Sequence, residues 1–409
     1  MTAHRYFPGP PDHVPAGLIH EFDIYQFSPG VNDPLEQWGN LLASDAPRIF
    51  YTHHNGGHWV FLDYEDVREA FRNDARFSTF QTPIPPIEPY PVMQPQGVDP
   101  PEHKKFRSLL APLFTPSAVG KMQAELRRRT TALLEAFVDK GRCEFGRDFA
   151  SVLPTGMFLY LMGMPEDRLT EFVKLAEVFM RSNDEAERAQ NIQQIYAVIA
   201  EYLAWRSTRL GDDLGSVLIS ARDENGQPFD QQDVLNCGFL LFVAGLDTVT
   251  STMTFIWRHL ARNAEARREL VGMIDDREKL TVAVDELLRI HSVPNIYRRV
   301  KKDMVYRGIT MKENDRVVLP VSVANRDGKV FEHADEIDLH REVNNHLTFG
   351  AGPHRCVGSH LAKTEVTIAL QEWLRRIPEF DVAADAQIRG HLGPTLGFSQ
   401  LPLVWKPKA

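Results

Sequence analysis

Three kinds of hydrophobic pattern succeed one another along this chain of 409 residues. Over roughly the first ninety residues, apolar positions come in short bursts, 48–52 and 58–62, set among prolines and glycines. Bursts of that length bounded by turn residues predict short strands. The tract 81–101 is crowded with prolines, which fix φ and remove backbone donors, so it predicts an extended irregular loop. From about 116 to 290 the apolar spacing becomes helical. It turns to short alternating strands near 304–319, returns to an amphipathic helix over 358–377, and ends extended over 393–405. No internal repeat, low-complexity tract or long linker breaks the series. The expectation is a mainly α fold with a minor β portion, one domain over 1–409, β-richer up to about residue 95.

The stretch 230–263 predicts one long helix, with Asp230 as N-cap and Asp233 three residues on. At 1.5 Å per residue it would be roughly 50 Å long. Its centre, 237–246, is apolar on nearly every face and should be buried. Gly245, Asp247, Thr248 and Thr250 interrupt that centre. An interior glycine costs a helix about 1 kcal/mol and a buried carboxylate costs more, so something should compensate.

Charge and composition narrow the function. A net charge of -9 argues against nucleic-acid binding, which needs a basic surface to displace counterions. The N-terminal tract has no apolar core region, so neither a signal peptide nor an anchor is expected there. The most apolar run, 239–244, is far shorter than the roughly 20 residues that span a bilayer, and a cytoplasmic protein without membrane contact is expected. Cys143, Cys237 and Cys356 form no Cys-x-x-Cys pair, which argues against a disulfide framework or a structural zinc. Cys143 and Cys237 read as small buried hydrophobes.

Cys356 sits in different company, Phe349-Gly350-Ala351-Gly352-Pro353-His354-Arg355-Cys356-Val357-Gly358, directly before the predicted helix. Glycines at 350 and 352 allow a tight loop to approach a flat ligand. A helix N-terminus favours an anion and lowers a thiol's pKa, and Gly358 removes bulk where a macrocycle would lie. Phenylalanine, two glycines, histidine, cysteine and glycine at these offsets resemble the cysteine-ligand loop of the cytochrome P450 family. That resemblance implies a P450 fold with haem b between the long central helix and the cysteine-loop helix. Its iron would be held by the thiolate of Cys356, with Phe349, Gly358, Ala244 and Gly245 beside the macrocycle.

Further positions match the family's pattern. Glu286 and Arg289, three apart on a helix, would join Arg341 in a structural triad that braces the thiolate loop. His103, Arg107, Arg298 and His354 match propionate-binding positions, although Arg299 beside Arg298 leaves that assignment open by one residue. In Ala244-Gly245-Leu246-Asp247-Thr248 the threonine hydroxyl can bond back to the Ala244 carbonyl and bend the helix. The resemblance makes Asp247 and Thr248 the catalytic pair that delivers the two protons consumed in reducing dioxygen.

Within the family the likeness is to the bacterial camphor-hydroxylase type. It implies a monooxygenase supplied with electrons by a two-iron two-sulfur ferredoxin and a separate flavoprotein reductase, since no flavin or nicotinamide fingerprint occurs here. Lys104, Lys105 and Arg107 would contribute to a basic docking patch. Met93, Leu240, Val243, Pro294 and Thr395 match pocket-lining positions, mostly apolar, as suits a compact monoterpenoid resembling camphor, cineole or an ionone. Tyr90 falls in a loop of altered length and would either hold a substrate oxygen or point elsewhere. The alternatives are a peroxide-driven haem-thiolate catalyst and a haem-based ligand sensor without turnover.

Overall fold

The computed structural model describes residues 9–86, 90–181, 184–223 and 225–407. The first residues of the N-terminal tract, 1–8, and residues 87–89 of the loop before Tyr90 lie outside that description.

The structure is organised around the helix Gln231–Arg262, 32 residues long. Asp230 caps it by accepting the Gln232 N–H at 2.7 Å, and Asn263 ends it while capping the following helix, Ala264–Val271. By length and composition alone this helix could cross a membrane. Protein buries 78% of its most apolar stretch, however, so it is a core helix. Helices Val152–Met162, Leu169–Arg181 and Glu185–Ser207 pack against it. A second helix, Ser359–Arg376, packs on Pro116–Glu135 and Arg277–Ile290. An aromatic nucleus joins the two systems. Trp257 of the central helix stacks on Phe145 at 4.9 Å and meets Trp373 of the cysteine-loop helix edge-on at 5.8 Å. Both tryptophans are fully buried, and this nucleus fixes the spacing between the two helices.

The largest sheet has five strands in the order Ile49–Thr52, His58–Phe61, Arg316–Pro320, Asn295–Val300, Phe77–Ser78. All neighbouring pairs are antiparallel except His58–Phe61 with Arg316–Pro320, where Trp59 lies opposite Val317. Near the C-terminus Pro402–Val404 lies between Arg142–Glu144 and Asp381–Val382, setting Leu403 opposite Cys143. Cys143 and Cys237 are buried, and burial pushes both thiols up, the second to about 12.

Most predicted elements are present. The N-terminal part, expected to be β-rich, also holds helices Pro34–Ala43 and Tyr64–Arg72. The first starts as helices with proline at N1 do, with the Asp33 carboxylate accepting the Leu35 N–H at 2.9 Å. The strand Asn295–Val300 was hidden because its two arginines obscure the alternation. Trp373→Ala should remove the centre of the aromatic nucleus and cost about 3–5 kcal/mol. Denaturant titration of the holoprotein measures this, and an unshifted midpoint would contradict the packing described.

Candidate active site

The loop before helix Ser359–Arg376 is shaped by its glycines. Gly350 and Gly352 have φ of +67° and +71°, where side-chain-bearing residues are strained. A Cβ on Gly352 would also lie 2.8 Å from the Arg72 backbone. The turn is closed by the Cys356 N–H donating to the Phe349 carbonyl at 2.8 Å. Gly358 is the N-cap, so Cys356 stands just ahead of the helix. Its sulfur opens onto a large internal cavity and is exposed by area, while the protein around it still desolvates it. Here the expectation of a lowered thiol pKa needs correction. Burial raises it, outweighing the Gly358 amide and the charges of Arg107 and Arg355, which pull it down. Metal coordination deprotonates a thiol outright, so the thiolate state here depends on a ligated cation more than on the helix end.

The three residues expected to brace this loop come together. Glu286 and Arg289 are both fully buried. Arg289 donates twice to the Glu286 carboxylate, at 2.8 and 2.7 Å. It also donates to the carbonyls of Asn325, Ala334 and Glu336 at 2.8, 2.6 and 2.9 Å. Glu286 accepts from Arg341 Nε at 3.1 Å, Asn344 Nδ2 at 3.0 Å and the Asp338 N–H at 3.0 Å. Burial alone would raise the Glu286 carboxyl, but these donors hold it below its ordinary value. Asn325, missed in the sequence, carries the bracing onward. It donates to Thr348 Oγ1 at 2.9 Å and accepts the Leu347 N–H at 2.7 Å, immediately before Phe349.

The cavity occupies about 2410 Å³. A drug-sized ligand needs roughly 300–1,000 Å³, so this space suits a macrocycle and a substrate together. It is lined by Cys356, Phe349, Gly358, Ala244, Gly245 and Thr248, and by His103, Arg107, Arg298 and His354. Those four basic residues arrive from three segments to form one rim. Arg298 is 5% exposed, and the only hydrogen bond of its side chain among the described residues goes to the Tyr297 carbonyl. Burial pulls its pKa down to about 10. His354 lies 4.2 Å from His103 ring to ring, and neither of its buried nitrogens has a partner among the described residues. Burial, with Arg298 and His103 nearby, lowers it to about 3. Arg299 does not line the cavity, so strand alternation settles the one-residue ambiguity in favour of Arg298. Two arginines and two imidazoles held towards their neutral form, with no carboxylate ion-paired to them among the described residues, share one cavity with a thiol and open glycines; this fits haem, whose two propionates supply the missing charge and acceptors.

On the central helix, Thr248 faces the cavity and donates from Oγ1 to the Ala244 carbonyl at 3.1 Å. The helical assignment is unbroken through this turn. Asp247 is buried, 7% exposed, and does not line the cavity. Thr248 thus presents its hydroxyl to the cavity while Asp247, one residue earlier, is turned into the protein. Sequence reading missed a third polar group, Glu365, which lines the same cavity from the cysteine-loop helix. It is 3% exposed, has no hydrogen-bond or ion-pair partner among the described residues, and burial raises it to about 8. Its only sequence signal was a carboxylate at an apolar position of an amphipathic helix. Tyr90, Met93, Leu240, Val243, Pro294 and Thr395 all line the cavity too.

Comparison with known proteins gives the arrangement a context. The family model described as Cytochrome P450 matches residues 157–391. The chain is 34% identical over 407 residues to a probable cytochrome P450 127A1 of Sinorhizobium fredii, covering 97% of this chain and 96% of that one. It is 32% identical over 365 residues to a mycinamicin IV hydroxylase/epoxidase of Micromonospora griseorubida, covering 85% and 89%. The solved structures of CYP101J2 and CYP101C1 each superpose with a TM-score of 0.87, at 30% and 31% identity, over 97% of this chain and all of theirs.

Two substitutions test the energetics. Glu286→Ala strands a fully buried guanidinium and should cost about 3–5 kcal/mol, read as a lowered denaturation midpoint. Between about pH 4.5 and 8 the folded protein keeps a Glu365 proton that the unfolded chain releases. This carboxyl therefore reduces stability progressively as pH rises through that window. The melting-temperature advantage of Glu365→Gln over wild type should be small at pH 4.5, grow to pH 8 and then level off. A difference independent of pH would contradict a buried, neutral Glu365.

Proposed function

Because this chain belongs to the cytochrome P450 family, we propose that it hydroxylates an unactivated C–H bond of a compact, mainly apolar terpenoid with electrons from a ferredoxin. Proteins of this family are oxygen-incorporating oxidoreductases that bind haem b, and this chain is one of them. The observation that carries the finer reading is that one cavity joins Cys356, the donor rim of Arg107, Arg298, His103 and His354, and the hydroxyl of Thr248. Cys356 Sγ would hold the iron; Arg107, Arg298, His103 and His354 would take the propionates; Phe349, Ala244, Gly245 and Gly358 would flank the ring. The haem supplies the redox-active iron at which dioxygen is activated, with the thiolate favouring O–O cleavage as a general property of this ligand type.

The chain's own residues supply protons and shape. The Thr248 hydroxyl donates its hydrogen bond to the Ala244 carbonyl, which leaves its lone pairs to accept a hydrogen bond from a protonated group in the cavity and hold it in place. Glu365 holds a proton at neutral pH in the same space. Asp247 serves from the protein side of the helix, off the cavity wall. Met93, Leu240, Val243 and Pro294 exclude water and fit a camphor-, cineole- or ionone-like skeleton. The Tyr90 hydroxyl has no partner among the described residues, and burial raises it to about 12, so it stays a donor for a substrate carbonyl or ether. Lys104 and Arg355 are exposed and suit an acidic two-iron two-sulfur ferredoxin, itself reduced by a flavoprotein in the cytoplasm. Proton-holding groups in the cavity favour oxygen reduction over a peroxide-driven path, which needs no such relay.

Reconstitution with a reduced ferredoxin and a panel of monoterpenoids tests this. Hydroxylated product should require both O2 and the ferredoxin. Thr248→Ala should retain the substrate-induced spin shift but lose about tenfold or more of product per electron, the difference appearing as hydrogen peroxide. Unchanged coupling would remove Thr248 from the relay, and turnover driven by peroxide alone in wild type would overturn the reading.

A further inference from the structure

Arg188, on helix Glu185–Ser207, lines the same cavity. It is half-buried, and no carboxylate among the described residues pairs with it. Asp23, an acidic residue lining the same cavity, is already committed. It accepts from Asn55 Nδ2 at 2.8 Å and from the Tyr25 N–H at 2.8 Å, with His54 Nδ1 at 3.6 Å. Three tyrosines from three other segments face the cavity beside Arg188: Tyr25, Tyr90 and Tyr297. The Tyr25 hydroxyl donates to the Ile84 carbonyl, and the Tyr297 hydroxyl lies 3.5 Å from it, a weak contact that leaves the Tyr297 proton available. Burial is the main cause raising all three phenols, so all stay protonated donors, while the charge of Arg188 acts on Tyr25 and Tyr90. A guanidinium and two phenolic donors converge where, among the described residues, the sole acceptor in contact with any of them is the Tyr25 oxygen, 3.5 Å from the Tyr297 hydroxyl. Such a set matches a carboxylate, whose two oxygens take a guanidinium fork and further donors at once.

We propose that Arg188, Tyr90 and Tyr297 form an anion-recognising subsite that takes a carboxylate carried by the otherwise apolar terpenoid-like substrate. This rests on the haem-thiolate monooxygenase reading and sharpens its substrate class. Apolar walls then hold the hydrocarbon while the charged pair fixes its register, so the chain length between acid and reacting carbon sets the position of attack.

The test uses probes whose binding does not depend on knowing the natural substrate. Alkanoic acids bearing a terminal imidazole ligate ferric haem through the imidazole and carry the carboxylate at a distance set by chain length. They are titrated by their spectral shift into holoenzyme, alongside their methyl esters, in wild type, Arg188→Gln and Tyr90→Phe. At one or two chain lengths the acid should bind wild type about tenfold or more tightly than its ester. That ratio should collapse towards one in Arg188→Gln and fall by a smaller factor in Tyr90→Phe. A reduced carbon monoxide band of thiolate type, recorded on each preparation, keeps the two readings separate. If that band is present and no chain length favours the acid, or the preference survives in Arg188→Gln, the subsite is overturned alone. If the band is absent, the haem-thiolate reading itself falls.

Discussion

Two opposite charges taken wholly out of water are tolerated only when each is paired and every remaining donor and acceptor is satisfied, and Glu286 with Arg289 meets that condition. The pair joins one helix to three carbonyls of the following loops and, through Arg341, Asn344 and the Asp338 amide, to the segment leading to the thiolate. Asn325 and Thr348 extend it to the residue before Phe349, whose carbonyl receives the Cys356 amide. The sulfur is thus positioned by a chain of hydrogen bonds rooted in a buried ion pair. Breaking that root would release a charge and a loop together.

The central helix is the second wall. Its interior glycine, threonine and carboxylate are costly in an apolar helix, yet each has a place. Gly245 has no atom within 4 Å of where its Cβ would lie, so it leaves the cavity open. Thr248 satisfies its hydroxyl on its own helix while facing the cavity. The aromatic nucleus of Trp257, Trp373 and Phe145 holds this helix to the cysteine-loop helix, so the distance between sulfur and threonine is a property of packing. Binding chemistry and stability therefore share the same side chains.

Much of this was legible in the sequence because it is local. The central helix runs between its expected caps, and the cysteine loop carries its glycines where positive φ demands them. Other features depend on distant segments and left no local mark. Asn325 matters only through partners more than twenty residues away, and Glu365 is notable only because no partner among the described residues reaches it. The acid–alcohol pair looked like a unit along the chain, but helical geometry turns Asp247 off the cavity that Thr248 faces. The thiol's pKa was misjudged for the same reason: helix position is visible in sequence, whereas desolvation by the surrounding fold is not. Arg188 resembled any surface arginine of a polar helix until the fold set it beside three phenols lining the cavity.

The most direct measurement is the difference spectrum of the reduced protein with carbon monoxide, recorded for wild type and Cys356→His. Ligation by Cys356 predicts a wild-type Soret band shifted far to the red of histidine-ligated haem, and its replacement by a histidine-type band in the variant. A histidine-type band in the wild type, or a thiolate band surviving in Cys356→His, would contradict the assignment of the sulfur on which the site is built.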